Sequence, residues 1–240
     1  MRNILTIAVK EYKTYFVTAI GYVVMLIFFL IASYLFLEIA LQAWQREATL
    51  RYLFQDMSII MLFVVPLMTM RTLAEERSSN TIELLMTSPV REVEVVLGKY
   101  LGALGLYLTM LLFTLQYPLF LILYSNRQAD VGPIVAGYIG AFLVGASFLA
   151  IGVFLSALTS SQIVAAVSTF GVLLLLWIVN ITSYRVMGTT GEVLSYLAIN
   201  RHIEDMVSGV VDLKDLIFFG SFIFVFLFLA VRFLASSRWR

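Results

Sequence analysis

Apolar residues run through this chain in five long blocks and one shorter block broken by Pro66, and nearly all charge is confined to the gaps. The ~30 Å hydrocarbon core of a bilayer needs about 20 helical residues. The pattern therefore predicts membrane spans at about 16–37, 57–73, 100–124, 133–157, 163–183 and 216–235. The second block is short, so its helix either extends through Thr72 or Leu73 or starts earlier, near Leu53. No polar stretch is long enough to fold a separate core. The expectation is one all-α integral membrane domain over 1–240, with six transmembrane helices.

Composition agrees with this pattern. The chain is 61% hydrophobic and 13% charged, with a mean hydropathy of +0.96; a soluble domain is nearer about half apolar and a quarter charged. The net charge of +1 comes with no basic stripe of the kind a nucleic-acid backbone requires. Cysteine is absent, which excludes disulfides, thiolate catalysis and cysteine-based metal sites. The first block is too long for a signal peptide and lacks a small-residue cleavage site, so it is expected to be a retained helix. Six spans place both termini on one face. Arg2, Lys10, Lys13, Arg71, Arg77, Arg91, Lys99, Arg232, Arg238 and Arg240 give that face ten basic residues. Arg46, Arg51, Arg127, Arg185, Arg201 and Lys214 give the other face six, so both termini are expected to be cytoplasmic.

Ahead of the first block, Ile4, Leu5, Ala8, Tyr12, Tyr15 and Phe16 recur at helical spacing, with Asn3, Lys10, Lys13 and Thr14 elsewhere on the wheel. That suits a helix lying in the membrane interface with its lysines toward lipid phosphates; the alternative is a plain extension of the first span. In the fourth block Gly137, Ala141 and Gly145 repeat every four residues, and Gly98 with Gly102 repeats the spacing at the start of the third. Lipid supplies no hydrophobic drive between spans, so such stripes serve close helix packing. Packing within the chain is the favoured interpretation over a dimer seam. Charge inside the blocks is almost nil, which argues against ion- or proton-coupled carriage. Energy is then expected to arrive from outside the membrane.

Two enzyme-like interpretations fail on residue types. His202, the one histidine, has Glu204 and Asp205 nearby, but one imidazole with acids two and three residues on does not converge on zinc. An intramembrane protease needs a Ser/His pair, paired aspartates or a His-Glu-x-x-His site within the spans. Residues 190–212 fit better as an external amphipathic segment before the last span, with Leu194, Leu197, Ile203, Met206 and Val207 on one face.

The gap at 74–98 is patterned rather than merely solvated. Ile82, Leu85 and Met86 line one face of a short predicted helix, Pro89 should stop it, and Val93, Val96 and Leu97 begin a new helical pattern. Glu75-Glu76-Arg77-Ser78-Ser79-Asn80-Thr81-Ile82-Glu83-Leu84-Leu85-Met86-Thr87-Ser88-Pro89-Val90, then Gly98-Lys99-Tyr100, resembles the signature of ABC-2 type transporter permeases. More narrowly, Pro66 with Met70-Arg71, Ala150-Ile151-Gly152 leading to Ser156 and Gln162, and the stretch Asn200 to Asp212 resemble the gliding-motility-associated (GldF-like) permease branch. Asn80 stands where that family usually has glycine; asparagine tolerates the left-handed conformation best among the other residues.

The resemblance implies six spans, an interfacial N-terminal helix and a cytoplasmic coupling helix that seats in a separate ABC ATPase subunit. By position, Glu75, Glu76, Arg77, Thr81, Ile82, Glu83, Leu84 and Leu85 would carry the coupling role. It further implies two permease subunits, as a homodimer or related heterodimer, two ATPase copies and a bacterial inner-membrane location. A periplasmic auxiliary protein would fit the motility branch. The chain holds no Gly-x-x-x-x-Gly-Lys-Ser/Thr phosphate loop, since Gly98-Lys99 is followed by tyrosine. No catalytic residue, cofactor or metal is expected in it. The expected function is a permease subunit of an exporter for a bulky or amphipathic cargo; the rival is a non-transporting scaffold for envelope or motility machinery.

Overall fold

The computed structural model describes residues 2–43, 50–79, 90–124, 131–183 and 198–236. Every regular element among them is a helix: α1 (Arg2–Val17), α2 (Ala19–Ala43), α3 (Arg51–Thr69), α4 (Ala74–Ser78), α5 (Glu92–Thr114), α6 (Gln116–Tyr124), α7 (Val131–Leu158), α8 (Gln162–Ser183), α9 (Ile199–Val207) and α10 (Leu213–Ser236). Six of the stretches they form are long and apolar enough to cross a membrane. They are Ala19–Ile39, Arg51–Ser78, Glu92–Leu123, Val131–Leu158, Gln162–Val179 and Leu213–Ser236. This is the all-helical, six-span multi-pass architecture that the apolar blocks predict. α3 and α7 form the buried centre, while α2, α8 and α10 expose much of their apolar surface.

The helices run past the apolar blocks at several ends. The second starts at Arg51, close to the earlier of the two expected starts, near Leu53, and the third at Glu92 rather than Tyr100. Polar residues at those ends are tolerated because neighbouring helices supply partners. Asp215 falls inside α10 and is fully buried, and Lys99 falls inside α5 with 4% exposure. Both stand just outside the apolar blocks, in the stretches where the helices run past them.

Pro118 sets two features of the third crossing. Pro118 has no N–H to donate to the Thr114 carbonyl, and the helix breaks at Leu115 between α5 and α6. The freed carbonyl accepts a hydrogen bond from the Tyr138 hydroxyl of α7 at 2.9 Å. A buried backbone acceptor thus finds a side-chain partner, as it must in a dry core.

α1 is a separate helix and not an extension of the first span: the chain breaks at Thr18 and turns into α2. The Tyr22 hydroxyl donates to the Phe16 carbonyl at 2.9 Å, and Gly21 sits against the Tyr15 carbonyl, where no Cβ would fit. α1 then lies along α5. Ile7 approaches the Gly98 Cβ position to 2.7 Å, and Glu11 that of Gly102 to 2.5 Å. The Tyr12 hydroxyl bonds Thr109 at 3.0 Å, and the Tyr15 hydroxyl donates to the Met68 carbonyl at 2.7 Å. Burial, then the charge of Glu11, push the Tyr15 phenol up, so it stays a neutral donor.

The small residues of α7 face three different partners within the chain. Gly137 receives the Phe54 ring of α3, Gly145 the Tyr107 ring of α5, and Gly152 Thr69 of α3. Ala141 is buried, and its carbonyl accepts the Tyr107 hydroxyl at 2.6 Å. Gly140 faces Met206 and Ile203 of α9.

Candidate functional site

α4 is only five residues long, yet four other helices hold it. α3 ends at Thr69, and the turn that follows places the first N–H groups of α4 against α7. The N-cap residue, Leu73, has no side-chain acceptor to offer. Instead the fully buried Ser156 hydroxyl accepts from both Leu73 N–H and Ala74 N–H at 3.1 Å. Those are the orphan donors every helix start leaves, capped here from another helix.

Glu75 and Glu76 separate onto different faces, because consecutive residues of a helix point about 100° apart. Glu75 lies half exposed, 3.9 Å from Arg71, whose Nε also donates to Gln162 at the start of α8. Glu76 turns inward to the Lys99 ammonium of α5 at 2.9 Å. Lys99 makes a second contact of 2.9 Å with Glu11 of α1. One buried cation thus joins α1, α4 and α5. Arg77, the third residue of the predicted set, lies with its guanidinium 5.0 Å from the Phe233 ring of α10, within cation–π range.

Of the predicted coupling residues, these three are placed and brought to one end of the bundle. Thr81, Ile82, Glu83, Leu84 and Leu85 lie outside the described residues, as do Asn80 and Pro89. The partners Glu11, Lys99, Ser156, Gln162 and Phe233 were not assigned to this site from sequence. Glu11 carried a signal: it falls on the face of α1 shared by Ile4, Ala8 and Tyr15, and an acid in an apolar stripe asks for a buried cation.

At the other end of the bundle, His202 of α9 meets Asp215 of α10 at 2.6 Å, both buried. The imidazole stacks on Phe218 with centroids 4.0 Å apart. α9 ends at Gly209, whose φ of +93° favours glycine. Lys214 spans Asp212 at 2.7 Å and Asp205 at 3.6 Å. The histidine is thus a structural partner of Asp215.

A family model described as "ABC-2 family transporter protein" matches residues 45–232. No curated protein matches the chain significantly.

Proposed function

The chain belongs to the ABC-2 family of transporter proteins, and on that premise we propose that α4 is where the motion of a separate ATPase subunit enters the membrane domain. Membership makes the chain a membrane-spanning permease subunit that associates with an ABC ATPase. The observation that carries the coupling role is the set of ties on α4: Glu76 to Lys99 and Glu11, the Leu73–Ala74 amides to Ser156, and Arg77 to Phe233. A push on α4 therefore acts on α1, α5, α7 and α10 together. Residues 81–86, next along the chain, are the segment we assign to contact with the ATPase. Closure of two ATPase copies beneath a pair of permease subunits would tilt the helices and open an outward path.

Export of a bulky or amphipathic cargo suits a domain moved from outside the bilayer, with its buried charges at helix ends rather than along a mid-membrane relay. Both termini are assigned to the cytoplasmic side on the basic-residue bias, and the bacterial inner membrane on the family resemblance. The gliding-motility-associated branch is proposed on the residue patterns alone, and an adjacent gene for a periplasmic auxiliary protein would support it.

Co-reconstitution with the ATPase subunit tests the coupling role. Glu76→Ala and Leu85→Asp should abolish stimulation of ATP hydrolysis while membrane insertion stays intact; undiminished stimulation overturns it. Cargo movement should also vanish with a catalytically dead ATPase. Envelope assembly that persists in that background would instead favour a scaffold.

A further inference from the structure

A cavity of about 230 Å³ with both charged and apolar lining opens at the corner where α1 turns into the first membrane-crossing helix. Its wall is charge-balanced: Lys10, Arg71 and Lys99 on one count, Glu11, Glu75 and Glu76 on the other. Ile20, Leu67 and Met68 supply an apolar rim. Much of its bonding capacity is unspent. Among the described residues the Lys10 ammonium pairs with no carboxylate, and of the Arg71 nitrogens only Nε is engaged, by Gln162 and Glu75. Glu11 spends one carboxylate oxygen on Lys99, and among the described residues the Glu75 carboxylate holds only the 3.9 Å contact to Arg71. A second concavity, a shallow groove of about 450 Å³, runs along the outer face of α1 past Val9 and Val17. The two share Lys10 and Thr14, one turn apart on α1, and Thr18 at the break that follows it.

We propose that this pair of concavities is a binding site for an aminophospholipid. The phosphate lies at Lys10 and the outer nitrogens of Arg71, and the primary ammonium enters toward Glu75 and Glu11. An acyl chain leaves over Val9 and Val17. A simple anion does not suit three lining carboxylates, and a simple cation does not suit four lining cations, Lys13 of the groove included; a zwitterion answers both. Planar guanidinium and ammonium donors favour phosphate oxygens, and a primary ammonium donates three hydrogen bonds where a trimethylated one donates none. The site shares Glu11, Glu76 and Lys99 with the ties that hold α4, but its test reads lipid retention and not ATP hydrolysis.

The test uses the full chain purified in detergent and offered equal amounts of phosphatidylethanolamine, phosphatidylcholine and phosphatidylglycerol, with retained lipid read by native mass spectrometry. Phosphatidylethanolamine should be retained about tenfold over phosphatidylcholine, the loss expected for one charge-assisted contact. Lys10→Gln should lower retention of phosphatidylethanolamine, and Glu75→Gln should erase its preference over phosphatidylcholine. Both are surface positions, and unchanged melting would confirm that each variant folds. Equal retention of the three lipids, or preference for phosphatidylglycerol, overturns the proposal. Soluble glycerophosphoethanolamine should compete weakly for want of an acyl chain; competition as strong as that of the lipid overturns the membrane source.

Discussion

Lys99→Met removes the one cation that joins three helices, and its consequences follow from the geometry. The ammonium lies 2.9 Å from both Glu11 and Glu76 and is 4% exposed. At an effective dielectric of about 20, each contact carries roughly 6 kcal/mol of Coulomb attraction before desolvation is counted. Burying an ammonium costs several kcal/mol, so the first carboxylate mainly offsets burial and the second supplies the net gain. Glu11 and Glu76 keep 19% and 20% exposure and can still reach water. Removing Lys99 should therefore cost about 2–3 kcal/mol, below the roughly 3–5 kcal/mol of a fully buried broken pair. Glu11→Gln alone should cost about 1–2 kcal/mol, since Lys99 keeps Glu76. In the Lys99→Met background the same change should cost nothing or stabilise slightly, because it relieves two facing carboxylates. The double-mutant cycle then returns a coupling of at least about 1 kcal/mol. Unfolding in mixed detergent and dodecyl sulfate micelles, followed by circular dichroism, measures all four species. An equal cost of Glu11→Gln in both backgrounds would refute the bridge.

Three further outcomes follow from contacts described above. Ser156→Ala should destabilise by about 1–3 kcal/mol by stranding the Leu73 and Ala74 amides, and limited proteolysis should then reach the 74–79 segment sooner. Gly145→Leu drives a side chain into the Tyr107 ring and should cost about 3 kcal/mol or more, whereas Gly171→Leu, facing open space, should leave the melting temperature unchanged. His202→Ala should cost about 3–5 kcal/mol by leaving Asp215 buried without its partner; replacing the pair with phenylalanine and leucine should restore most of that loss, and failure to do so would count against the pairing.

The sequence by itself determined that this chain is a six-span helical membrane protein, because about 20 consecutive apolar residues have no cheaper environment than lipid or a helical core. It also marked the small faces of α7, since glycine acts on the backbone wherever it stands, whereas the break ahead of Pro118 in the third crossing was not drawn from it. The Glu75-Glu76-Arg77 pattern was legible as a motif, but not what each residue does, because periodicity assigns faces and not partners. Only the tertiary structure decided that Glu76 turns inward while Glu75 stays at the surface, and that Gly98 and Gly102 seat α1. The pairs Glu11–Lys99 and His202–Asp215 are separated along the chain, and helix ends that look polar and exposed in sequence become buried when another helix brings the opposite charge. Burial of a charge depends on where its counter-charge arrives, and that is settled only when the helices pack.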